Sequence, residues 1–135
     1  MAAPSIPAAV APLIPVVLHL TGQFTASAAA VAEFRLPQGC RIVRVGASAQ
    51  AKGGTHGTTT LDVTKGGTSV LSAAIDLKTA TAGAWTEGTL NKAATADVGV
   101  NAAKEAEMQV DLVVTGGTSP TIDNITVQID ICPAQ

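Results

Sequence analysis

Two histidines, His19 and His56, are the only side chains that ordinarily change charge near neutral pH. His19 alternates with Leu18 and Leu20, so it points outward from a strand, while His56 falls in a glycine-rich loop. A metal site needs ligands grouped at HxH, HxxxH or paired Cys/His spacing, and neither histidine has such a neighbour. Cys40 and Cys132 lie far apart in the chain and read as two buried thiols rather than a disulfide. Carboxylate pairs such as Asp62 with Asp76, or Asp111 with Asp130, could face each other across hairpins, yet acids on the wet side of a strand are ordinarily solvated. Sugar-cleaving chemistry would add an aromatic-lined cleft, and the chain has one Trp, two Phe and no Tyr. No GxSxG elbow supplies an activated serine. Lys52 and Lys65 precede Gly-Gly-Thr, the reverse of the order a phosphate-cradling loop requires. The expectation is a protein that is not an enzyme and uses no cofactor or metal.

The elements that would position these residues are strands. From Glu107 to Cys132, Met108, Val110, Leu112 and Val114 share one parity, and Ile125, Val127, Ile129 and Ile131 share another, on either side of Gly116-Gly117-Thr118-Ser119-Pro120. Period-two alternation around a glycine turn predicts a hairpin with one buried and one wet face. A second hairpin is predicted where 58–64 meets Lys65-Gly66-Gly67-Thr68-Ser69 and leads into 70–77, because Gly-Gly accepts the positive φ of a tight turn. Further strands are expected at 16–21, 31–36, 41–50 and 85–90, with another near 98–100. The stretch 51–57, AKGGTHG, is read as the loop that ends the 41–50 strand. Asn124-Ile125-Thr126 matches a glycosylation sequon but reads simply as part of a strand. The sum is an all-β fold, a two-sheet antiparallel sandwich of jelly-roll or Greek-key type with about eight strands.

At 135 residues the chain has the length of one domain and can bury a core without metal or disulfide. That core must be aliphatic, since Ala, Val, Ile and Leu supply most of the 47% apolar content. Residues 1–15 carry four of the seven prolines and no charged side chain, which predicts an extended arm ahead of a domain at 16–135. Fifteen such residues reach roughly 45 Å. Ile6, Val10, Leu13 and Ile14 make the arm apolar, so it is expected to dock on a surface. Pro7, Pro12 and Pro15 break the apolar run, and no basic segment precedes it, which argues for a soluble, leaderless chain.

Charged residues are only 13% of the chain, and the net charge of −2 gives no reason to approach nucleic acid or an anionic membrane. The charge is nevertheless unevenly spread. Arg35, Arg41, Arg44 and Lys52 against Glu33 make the first 52 residues +3, and four lysines against nine acids make the remainder −5. Arg35, Arg41 and Arg44 flank the turn at Pro37–Gly39 and could fork onto carboxylates of an adjacent subunit.

Leu71 with Ile75-Asp76-Leu77, Glu87-Gly88-Thr89-Leu90, Val110-Asp111, the 116–120 glycine turn and Ile125-Thr126-Val127 follow one another over residues 70–131 in an order that resembles small bacteriophage virion proteins. The resemblance implies a capsid decoration, or cement, protein. Such a protein would be made in the host cytoplasm and would oligomerise, as a homodimer or homotrimer, on the outside of the head. There it would bridge subunits of the major capsid protein and stabilise the shell. Head-fibre or tail-associated proteins that contact the host share this look, and a carbohydrate-binding module is a further alternative. In the decoration reading the contacts fall to the arm, through Ile6, Val10, Leu13 and Ile14, and to Arg35, Arg41 and Arg44.

Overall fold

The computed structural model describes residues 13–35, 40–91 and 107–133. They form seven strands and no helix: β1 (Ile14–Phe24), β2 (Ala28–Arg35), β3 (Cys40–Lys65), β4 (Thr68–Ser69), β5 (Ile75–Asp76), β6 (Thr86–Glu87) and β7 (Glu107–Pro133). All pairing is antiparallel. β3 and β7 run beside each other along their whole lengths, from Cys40 opposite Pro133 to Lys65 opposite Met108. β1 pairs with the C-terminal half of β7 and β2 with its N-terminal half, while β4, β5 and β6 line the other edge of β3. The all-β class expected from alternation is therefore present, and β1 begins two residues earlier than the expected strand, taking Ile14 and Pro15 into the sheet.

The expected hairpin at 107–132 is not a hairpin. Both alternating halves belong to the single strand β7, which continues through the glycine run at 116–120. The stretch 51–57 likewise does not end a strand, for it lies within β3 directly opposite that run. Each glycine-rich segment is the other's partner. A Cβ at Gly117 would stand 1.9 Å from the Thr55 carbonyl oxygen, and one at Gly54 2.0 Å from that of Ser119, so the two backbones meet more closely than side chains permit. The register slips beside Gly54, where Ser119 and Pro120 oppose a single residue, and a bulge of this kind bends the ribbon and sharpens its twist. The glycines permit close approach of two strands, where the sequence suggested chain reversal.

The expected turn between 58–64 and 70–77 does form, but the returning arm is strand only at Thr68–Ser69 and Ile75–Asp76. Gly66 and Gly67 adopt φ of +55° and +89°, joining Lys65 to Thr68 through a two-residue turn. β5 and β6 are two residues each, and Leu71 bridges Leu90. The expected strand at 98–100 lies outside the described residues.

On β3, Val45, Ala47, Ala49, Leu61 and Val63 face inward; on β7, Met108, Val110, Leu112 and Val114 do so, followed by Ile125, Val127, Ile129 and Ile131. These residues join one aliphatic core, with Phe24 and Phe34 packed at its margin. The inward parity of β7 changes at Asn124, whose φ is +47°. Its side chain locks the irregularity: Oδ1 accepts the Gly22 N–H at 2.7 Å, and Nδ2 donates to Gln50 Oε1 at 2.6 Å. The sequon asparagine thus ties β1 and β3 across β7.

Candidate interaction surface

The described residues contain no group of three or more His, Cys, Asp or Glu that could hold a metal ion. The potentially reactive side chains have local partners. His56 bridges the two long strands near their bulge, with Nε2 3.1 Å from both the Gly53 and Thr121 carbonyl oxygens and Nδ1 2.5 Å from Thr59 Oγ1. Only a donor satisfies two carbonyls, so in the neutral ring Nε2 carries the proton and Nδ1 accepts from the buried Thr59 hydroxyl. This half-buried ring differs from the loop histidine expected from the sequence. His19 is exposed and meets Thr126 Oγ1 at 3.2 Å, in keeping with the outward orientation expected of it.

The carboxylates pair differently from expectation. Asp62 lies directly opposite Asp111, whereas Asp76 lies opposite Thr60 and Asp130 opposite Arg44. Like charges directly opposite are unfavourable, and each is offset by donors. Asp62 accepts from Ser69 Oγ at 2.6 Å and the Val63 N–H at 2.8 Å, while Asp111 accepts the Ala30 N–H at 2.7 Å. Ala30 has φ of +52° within the bulge of β2, so Asp111 holds a strained backbone position. Thr79 Oγ1 donates to Asp76 at 2.8 Å and, outweighing slight desolvation, is the main reason the Asp76 carboxyl lies below its ordinary range, with the Lys78 and Thr79 amides adding to it. An open cleft of about 260 Å³ lies between residues 73–80 and 86–89, smaller than typical small-molecule pockets.

Lys52 is consumed by the fold as well. Its ammonium donates to the carbonyl oxygens of Leu77 and Lys78 at 2.9 Å each, and to that of Ala80. These contacts hold the 77–84 loop against the outer edge of β3, where the Gly83 N–H also donates to the Ala49 carbonyl.

The arginines separate into two kinds. Arg44 reaches Glu87 at 3.0 Å and the buried Asp130 at 3.8 Å, and Arg35 stands 3.9 Å from Glu107. Arg41 is exposed beside Cys132 in the β3/β7 register and has no ion pair among the described residues. Cys132 is half-buried.

Exposed large apolar residues gather along β1 and at its entry. Ile6 and Val10 lie outside the described residues. Leu13 and Ile14 are 51% and 43% exposed where the chain enters β1, and Val17, which sequence reading had not singled out, is 44% exposed. The alternation Val17, His19, Thr21 could have marked it as outward, but a β-branched residue between Val16 and Leu18 reads as core. Between Ile14 and Phe24, β1 has no Asp, Glu, Lys or Arg, and its outer edge has no strand beside it among the described residues. Pro15 lacks an N–H, so it fits a position facing that unpaired edge.

Comparison of the chain with protein-family models, curated proteins and solved structures found no match.

Proposed function

We propose that this chain is an adhesive structural component of a bacteriophage particle: a decoration protein that oligomerises on the outside of the head and bridges major capsid protein subunits. The observation that carries the reading is the β1 edge, where Leu13, Ile14 and Val17 remain exposed at the exit of an apolar, proline-rich segment. An uncharged, unpaired edge is ordinarily blunted or covered. An extended segment of a neighbour can cover it by adding a strand, with backbone hydrogen bonds giving affinity and alternate side chains giving register. Many copies, each with a modest contact, then hold the shell together through multivalency.

The fold suits that role if the long ribbon doubles over into two layers. Val45 and Val127 on one half, and Leu61 and Val110 on the other, are all fully buried, and the described residues include no helix to cover them. The bulges beside Gly54 and within β1 divide the ribbon near its middle. We read this as a two-layer sandwich in which β3 and β7 contribute to both sheets, close to a jelly-roll in type.

The test is occupancy on particles. Removing residues 1–12, which precede β1, leaves a folded domain by circular dichroism but lowers the number of copies bound per particle. A wild-type count of a dozen or fewer per particle, or unchanged occupancy after deletion, would overturn the decoration reading.

A further inference from the structure

The chain's one tryptophan is held on a seat built from a strand glycine. Gly46 lies within β3, and a methyl group at that position would stand 2.1 Å from Trp85 Cζ2 and 2.4 Å from Cε2, so the indole rests where a side chain would otherwise be. The ring is still 45% exposed. A strand-interior glycine sacrifices packing and commonly marks close approach of another group; here it lowers an aromatic ring onto the sheet without burying it.

The register defines what surrounds the ring. Gly46 is opposite Gln128, which is opposite Val17; Ser48 is opposite Thr126, which is opposite His19. Directly opposed residues share a face, and the contact between His19 and Thr126 confirms it for that row. Cross-strand and along-strand spacings place Gln128 roughly 5 Å, and the Ser48 row roughly 7 Å, from the seat. Gln128 donates through Nε2 to Asp130 at 2.9 Å, which leaves its Oε1 as an acceptor. The Ser48 hydroxyl makes no hydrogen bond among the described residues. Arg44 stands between Glu87 and Asp130, so this face presents no surplus positive charge.

A half-exposed aromatic ring beside neutral donors and acceptors suits a ligand with one apolar face and a hydroxyl rim. We propose that Trp85 is the stacking platform of a saccharide-binding patch that takes a neutral pyranose. The sugar's C–H groups, which carry partial positive charge, lie on the electron-rich indole, and Gln128, Ser48 and Thr126 receive its hydroxyls. A nucleobase would also stack, but single-stranded nucleic acid requires a basic groove that this face lacks. The proposal does not rest on the attachment reading: its contacts are Trp85, Gln128, Ser48 and Thr126, although Val17 ends the same cross-strand row at β1.

The test uses the full chain on an immobilised panel of neutral hexose and N-acetylhexosamine oligosaccharides. Saturable binding to at least one is expected, and titration of that saccharide shields Trp85 from acrylamide quenching in a chain with no other tryptophan to confuse the signal. Trp85→Ala weakens binding about tenfold or more, which corresponds to ~1.4 kcal/mol. The surface variants Gln128→Ala and Ser48→Ala preserve the ring and each weaken binding several-fold. No saturable binding across the panel overturns the proposal. So does binding that all three variants retain, or shielding of Trp85 that follows protein concentration and not saccharide.

Discussion

His56 shows how a single side chain can hold an irregular part of a sheet. At the bulge, the carbonyls of Gly53 and Thr121 and the buried Thr59 hydroxyl all depend on one imidazole. Replacing it with alanine leaves those groups unpaired, and His56→Ala should cost about 1–3 kcal/mol, read as a lowered urea midpoint with an unchanged m-value. Asp76 makes a pH-dependent contribution whose sign follows from its depressed pKa. The stabilisation is complete above the unfolded value near 3.8 and is lost as pH falls through the lower folded value. Wild type should therefore lose more melting temperature than Asp76→Asn between pH 5 and pH 3, and parallel pH profiles would refute the linkage. At this scale the sequence was a poor guide to histidine partners. Gly53 and Thr59 lie three residues from His56, but its third partner is Thr121, 65 positions away, a proximity that no local pattern encodes.

Among the elements, the two glycine pairs look alike in sequence and serve different ends. VTKGGTS at 63–69 reverses the chain, whereas VTGGTS at 114–119 lets one strand pass closely over another. Their substitution costs should differ accordingly. Gly66 has open space around a Cβ, so Gly66→Ala costs about 1–2 kcal/mol for its left-handed backbone. Gly117→Ala adds a collision with the Thr55 carbonyl, and its melting temperature should fall well below that of Gly66→Ala. Alternation in 107–115 and 125–131 revealed strands and their inward residues, because burial on one face imposes period two whatever the topology; in 41–50 it revealed the strand, but a bulge at Val43 buries Ile42 on the parity that alternation placed outside. It could not reveal that adjacent runs join into one strand, since a glycine tolerates both a turn and a close approach, and the choice lies with the partner strand. Leu13 and Ile14 were legible as surface residues from the proline-rich context. Val17 and the seat of Trp85 on Gly46 were not, because each depends on cross-strand register.

For the whole molecule, the β1 edge and the outer face of the sheet offer separate contacts, and a single change can distinguish attachment from folding. Val17→Lys places a charge on an exposed edge position, where substitutions usually shift stability by no more than about 0.5 kcal/mol. It should leave the melting temperature near wild type while lowering binding to particles; full occupancy would remove the edge from the attachment surface. Arg44, engaged with Glu87 and Asp130, is unsuited to such a test because its loss would disturb the fold as well.

The full-length pairing of β3 with β7 also governs how the chain reaches its native state. β1 and β2 pair only with β7 among the described strands, β3 has its one long partner in β7, and β7 is the last of the seven strands to be made. A nascent chain that has not yet reached Glu107 can close only the short contacts along the outer edge of β3: the hairpin at Gly66-Gly67, the two-residue pairings with β5 and β6, and the Leu71–Leu90 bridge. Folding must wait for the final strand and then join segments separated by 43 to 93 positions, from Lys65 with Met108 to Cys40 with Pro133. Such non-local closure belongs with the slow folders, on the order of milliseconds to seconds, and until it happens the inward faces of β1, β2 and most of β3 have no β7 to pack against.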